Sequence, residues 1–119
     1  HPFDGVRSSV IRPEALEEIL PFADLIEVFN ARNTFKGANQ KAESLAQRHN
    51  LLPTAVSDSH HVLELGRTYT EIPEFDGSAE GFKLALKQAV LIKNQAIPWV
   101  HFFSTYAKLH KRVANAFTN

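Results

Sequence analysis

The chain has no cysteine, which excludes disulfide staples and thiolate metal sites and leaves the redox compartment unread. Any metal here must be held by imidazole and carboxylate, a donor set that suits zinc, manganese or iron. An excess of one charge is also missing. Lysine plus arginine and aspartate plus glutamate both number 13, so no global field argues for nucleic acid or an anionic membrane as partner. Charge and proline break every apolar run well before the roughly 20 residues of a membrane span. No export signal is visible, which makes the cytoplasm the default compartment. Internal repeats and low-complexity tracts are absent. So is an initiating methionine: the chain starts at His1-Pro2-Phe3 and reads as a piece of a longer protein.

Histidine is the unusual presence, at His1, His49, His60, His61, His101 and His110. Two of these stand in the stretch that organises the chain, Ser57-Asp58-Ser59-His60-His61, which follows the short apolar run 53–56. A strand that ends in Asp-x-His places two metal-type donors at the carboxyl end of a sheet or barrel, where α/β enzymes hold their ligands. Alternation along a strand end points Asp58 and His60 to different sides, so they can serve two ions rather than chelate one. A cap at the turn (Asp58) with a solvated His60 is the bland alternative. His61 reads as packing or surface.

Pro13 suits a first helical position, with Glu14, Glu17 and Glu18 opposite Ala15, Leu16, Ile19 and Leu20; Pro21 ends that helix. Residues 24–30 read as a mostly buried strand. Asn33 or Thr34 can cap the next helix, in which Ala38, Ala42, Leu45 and Ala46 fall at helical spacing. Residues 51–57 form the next strand. Strand, helix and strand within about 30 residues predict a parallel βαβ unit, with Asn30 and Asp58 at the same, carboxyl end. Val62, Leu63, Glu64 and Leu65 suggest a single helical turn closed by Gly66, and residues 67–72 alternate like a strand. Asp76, Gly77 and Ser78 make a turn and a cap for a helix marked by Phe82, Leu86, Ala89 and Val90. Pro98 opens a last helix, with Trp99, Phe102, Phe103, Tyr106, Leu109, Val113 and Phe117 on one stripe.

Arg7 and Arg32 each follow a strand end and can hold an anionic substrate by a bidentate fork; a surface ion pair is their plain alternative. Glu27, an acid inside an apolar strand, reads as a salt-bridged wall position rather than a ligand. Lys108, His110, Lys111 and Arg112 near the end suit the favourable charge of a docking helix's last turns.

In order, His1-Pro2-Phe3-Asp4, Ile26-Glu27-Val28-Phe29-Asn30-Ala31-Arg32, Asn39 with Ala42 and Leu45-Ala46, Ser57-Asp58-Ser59-His60 and Glu64-Leu65-Gly66 make a pattern. It resembles the carboxyl-terminal half of PHP-family metal-dependent phosphoesterases over residues 1–75, and more loosely beyond. The resemblance implies an α/β fold: the carboxyl-terminal part of a distorted seven-stranded (β/α) barrel over residues 1–97, with an amphipathic helical tail over 98–119. It implies that His1, Asp58 and His60 are ligands of a cluster of two or three divalent ions (zinc, manganese or iron), with Asn30 bordering the site. Arg7 and Arg32 as phosphate clamps come from their chemistry.

The implied reaction is phosphoester hydrolysis by metal-bound hydroxide on a phosphorylated small molecule or nucleotide. The family's amino-terminal His-x-His, further aspartate and bridging glutamate are missing from the chain, so it is expected to bind metal weakly and to be inactive alone. Two rivals remain: a metal-dependent hydrolase of C–N bonds, and a non-catalytic interaction or regulatory module derived from the PHP fold. A half barrel also leaves strand edges that need cover. The missing half of the barrel, a second copy of the chain, or the aromatic tail can provide it.

Overall fold

The computed structural model describes residues 1–4, 10–33 and 36–96; Arg7, Thr34 and the helix expected from Pro98 onward lie outside them. Chain order sets the architecture: α1 (Pro13–Ile19), a 3-10 turn (Leu20–Phe22), β1 (Leu25–Asn30), α2 (Lys36–His49), β2 (Leu52–Val56), a second 3-10 turn (Val62–Glu64), β3 (Tyr69–Glu71), α3 (Ala79–Leu86) and β4 (Val90–Ile92).

Proline at its start gives α1 a preset φ and no wasted donor, and Glu14 lies in its first turn. The α-helix stops at Ile19, and Pro21 sits within the 3-10 turn that follows. Helix α2 buries Ala38, Ala42, Leu45 and Ala46, the face its spacing predicts. It closes with Asn50 in the left-handed region at φ 53°, which asparagine tolerates better than most residues. Leu51 N–H donates to Ala46 O at 2.9 Å and Asn50 N–H to Gln47 O at 3.4 Å. This pair of bonds satisfies two of the last four carbonyls of α2 and turns the chain into β2.

Strands β1 and β2 pair in parallel, from Leu25 opposite Leu52 to Asn30 opposite Val56, with an irregularity between Glu27 and Phe29. The expected βαβ unit is therefore present, and Asn30 and the segment after Val56 share one end. Leu16, Leu20, Ile26, Val28, Leu45, Ala46 and Leu51 form the core beneath it, with Phe3, Ile11, Phe29 and Leu91 packed against them.

A second small sheet pairs β3 and β4 antiparallel, Thr70 opposite Leu91. The Thr70 hydroxyl joins the two sheets: it accepts from Ala55 N–H at 2.8 Å and donates to Ala55 O at 3.0 Å. The helix expected to run through Ala89 and Val90 stops at Leu86, and Val90–Ile92 is strand β4. Pairing with β3 decides the conformation of this short apolar run, which periodicity reads either way.

The architecture is thus α/β, with three helices and four short strands in two small sheets. The expected barrel is not seen among the described residues, where the sheets stop at two strands each. No helix among the described residues is long and apolar enough to cross a membrane.

Candidate functional site

The carboxyl ends of β1 and β2 carry a continuous polar network. Asn30, 5% exposed at the last position of β1, is its centre. Its amide nitrogen donates to Glu27 Oε1 at 2.9 Å and to Asp58 Oδ2 at 3.4 Å, while its amide oxygen accepts from Arg32 N–H at 2.9 Å. Asn39 on α2 holds the Asn30 backbone from the other side, accepting from its N–H at 3.3 Å and donating to its carbonyl at 3.4 Å. Most buried polar groups in folded proteins are partnered in this way. Asn33 continues the network, with its amide nitrogen 3.3 Å from Asn39 Oδ1 and 3.5 Å from His1 Nδ1. The main-chain nitrogen of His1 lies 3.7 Å from Glu27 Oε1.

Past β2 the chain folds on itself to present His60. Asp58 adopts a left-handed φ of 48°, a conformation aspartate tolerates because its short polar side chain bonds locally. The turn brings the Asp58 carbonyl 2.7 Å from His60 Nδ1. A carbonyl only accepts, so Nδ1 carries the proton and the neutral ring keeps its lone pair on Nε2, the arrangement found in metal-ligating histidines. His60 N–H donates to Glu64 Oε2 at 2.9 Å, and Arg32 Nη1 reaches the same oxygen at 3.0 Å. His61 serves the turn itself, where its Nδ1 accepts from Leu63 N–H at 3.3 Å. Gly66 takes φ 71° just after it, the conformation a closing glycine supplies.

His1 is placed differently. Phe3 N–H donates to its Nδ1 at 3.3 Å, which leaves the proton of the neutral ring on Nε2. That atom is buried with no partner among the described residues, as are Asn33 Oδ1 and Glu64 Oε1.

Asp58 and His60 therefore suit a divalent ion: a carboxylate beside an imidazole whose tautomer is set. Among the described residues no group of three or more histidine, aspartate or glutamate side chains gathers around one point.

Of the residues named from sequence, His1, Asn30, Asp58, His60 and Arg32 come together in this network, while Arg7 lies outside the described residues. Arg32 is turned inward to Glu64, 9% exposed, so this ion pair is buried rather than a surface one. Glu27, expected to be a salt-bridged wall position, has the main-chain nitrogen of His1 at 3.7 Å and accepts from Asn30 at 2.9 Å. Glu64, Asn33 and Asn39 are the members that sequence reasoning did not place here. An acid four residues after His60 in an otherwise apolar turn was the available signal for Glu64.

A groove among the described residues lies elsewhere. It occupies about 1330 Å³ at the amino-terminal ends of the strands, lined by Leu16, Asp24, Leu52, Pro53, Lys83 and Leu86 among others, and shares no residue with the network.

Residues 36–90 match a family described as PHP-associated. The matched stretch contains Asp58, His60 and Glu64 and leaves out His1, Asn30 and Arg32. The chain is also similar to the uncharacterized protein MJ0417 of Methanocaldococcus jannaschii, at 33% identity over 79 residues. That alignment covers 64% of the chain and 33% of the relative, so the chain spans about a third of that relative's length. No solved structure matches it.

Proposed function

We propose that the chain is the carboxyl-terminal portion of a cytoplasmic metal-dependent phosphoesterase of the PHP type, in which Asp58 and His60 supply two of the ligands. The observation that carries this reading is the 2.7 Å contact between His60 Nδ1 and the Asp58 carbonyl, at the carboxyl end of a parallel strand. It holds one imidazole in the state that binds a divalent ion. The match over residues 36–90 to a PHP-associated family supports the same reading.

Bound zinc, manganese or iron would supply an activated water and neutralise the phosphate of a small molecule or nucleotide. The chain's own contribution is positional. Asn30 steers the Asp58 carboxylate, and the 57–64 loop holds His60. The remaining ligands, and the strands that would extend the β1–β2 pair toward a barrel, come from the rest of the intact protein. His1 joins the ligand set only if its ring takes the other tautomer there.

The test is Asp58→Asn in the intact protein. The change keeps the shape of the side chain and its bond from Asn30 but removes a ligand charge. Metal content and the rate on a phosphomonoester should both fall at least tenfold; unchanged values reject the assignment. The 119-residue chain by itself should show no turnover.

A further inference from the structure

We infer that Glu64 is a positioning residue for His60, and that Arg32 holds it in that role. Glu64 lies in the turn just after His60, and its side chain is 3% exposed. A carboxylate taken so far out of water needs partners. One oxygen, Oε2, meets two donors, the His60 N–H at 2.9 Å and Arg32 Nη1 at 3.0 Å. Arg32 in turn is anchored through its own N–H to Asn30 Oδ1 at 2.9 Å, so a line of polar contacts runs from the end of β1 to the backbone of His60.

The geometry makes the ring's position depend on this carboxylate. His60 is held by its ring, on the Asp58 carbonyl at 2.7 Å with the Asp58 carboxylate 4.0 Å away, and by its main chain on Glu64. The ring itself is 49% exposed, so packing does not hold it. Without Glu64 the amide of His60 has only water, and the turn that brings Nδ1 to the Asp58 carbonyl loses its fixed end. Bonds to ionised acceptors are the strong ones, which suits a carboxylate to a loop that must present an exposed side chain in one orientation.

The experiment is Glu64→Gln in the intact protein, selectively labelled with ¹⁵N-histidine. Hydrogen exchange of the His60 amide should accelerate at least tenfold. The imidazole shifts should move from the Nδ1-protonated pattern toward the tautomer mixture of free histidine. Affinity for added Co²⁺ should fall 10- to 100-fold, the usual cost of losing a partner that orients a metal-binding histidine. A folded Glu64→Gln protein with unchanged His60 exchange and unchanged imidazole shifts overturns the inference, whatever its stability.

If that variant does not fold, the pair Arg32→Met with Glu64→Leu removes both charges together, and the same His60 signals decide. Failure of both variants to fold assigns the ion pair to stability and overturns the positioning role. Only the Co²⁺ arm rests on the proposed function. Wild-type protein that shows the Nδ1-protonated His60 but takes up no Co²⁺ refutes the metal reading and leaves the role of Glu64 standing.

Discussion

Arg32 Nη1 donates to Glu64 Oε2 at 3.0 Å with the two side chains 9% and 3% exposed. An ion pair of this kind therefore crosses the interior between the end of β1 and the turn after β2. Such pairs contribute little net stability, because desolvation offsets the attraction, yet breaking one from a single side strands a charge. Arg32→Met alone should cost about 3–5 kcal/mol in urea unfolding. The double variant Arg32→Met, Glu64→Leu should cost less than either single change. Additive costs would show that the two groups are not coupled in this way.

Thr70 makes a second prediction. Its hydroxyl meets both the N–H and the carbonyl of Ala55. Thr70→Val keeps the shape and leaves both backbone groups unmet, at about 1–3 kcal/mol. Thr70→Ser should retain most of the stability. Faster exchange of the Ala55 amide in Thr70→Val would locate the loss, and unchanged exchange there would argue against the bridge.

Ala42 is fully buried at 0% exposure on the face α2 turns to the core. Ala42→Leu should destabilise by about 1–3 kcal/mol through overpacking. The same substitution at exposed Ser44, two residues on, should stay within about 0.5 kcal/mol. Thermal unfolding of the two variants side by side checks the facing of the helix.

Acid should loosen the start of α3. The Ser78 hydroxyl, 2.6 Å from Asp76 Oδ1, and the Ser78 N–H, at 3.0 Å, both donate to that carboxylate. They hold its pKa below the ordinary 3.8. A carboxyl whose pKa is depressed by folding favours the folded turn at every pH above the ordinary value, and loses that contribution as pH falls through the lower one. Ser78 also caps the helix by accepting from Gly81 N–H at 2.9 Å. The Gly81 amide signal should therefore be steady at neutral pH and shift below about pH 4. Ser78→Ala should abolish the step.

Lys83 behaves in the opposite sense. Its hydrogen bond and attraction to Asp24, with Glu80 adding a smaller pull, raise its pKa above 10.5. The contribution of this contact is complete below that value and is lost as pH rises through the elevated one. Lys83→Met should leave the stability profile near neutrality almost unchanged, since exposed pairs contribute little, and flatten it on the alkaline side.

Local chemistry was enough for much of this molecule. Helical spacing named Ala38, Ala42, Leu45 and Ala46 as one face because a 3.6-residue repeat leaves few other ways to bury them. A β-branched and aromatic run flanked by breakers marked β1, and the short strand–helix–strand interval put Asn30 and Asp58 at one end, since parallel strands share their carboxyl ends. Gly66 closed its turn because glycine takes that backbone without cost.

Four features had to wait for the tertiary structure. Val90–Ile92 is a strand because β3 offers it hydrogen bonds, and a three-residue run has no period of its own. Thr70 bridges two sheets, and Arg32 finds Glu64 across 32 positions; sequence spacing says nothing about contacts at that distance. The last is the state of the imidazoles. His1 and His60 are the same residue type, and the family resemblance implies the same ligand role for each. An amide donor beside His1 and a carbonyl acceptor beside His60 set opposite tautomers. Which nitrogen keeps its lone pair is decided by the neighbour the fold supplies.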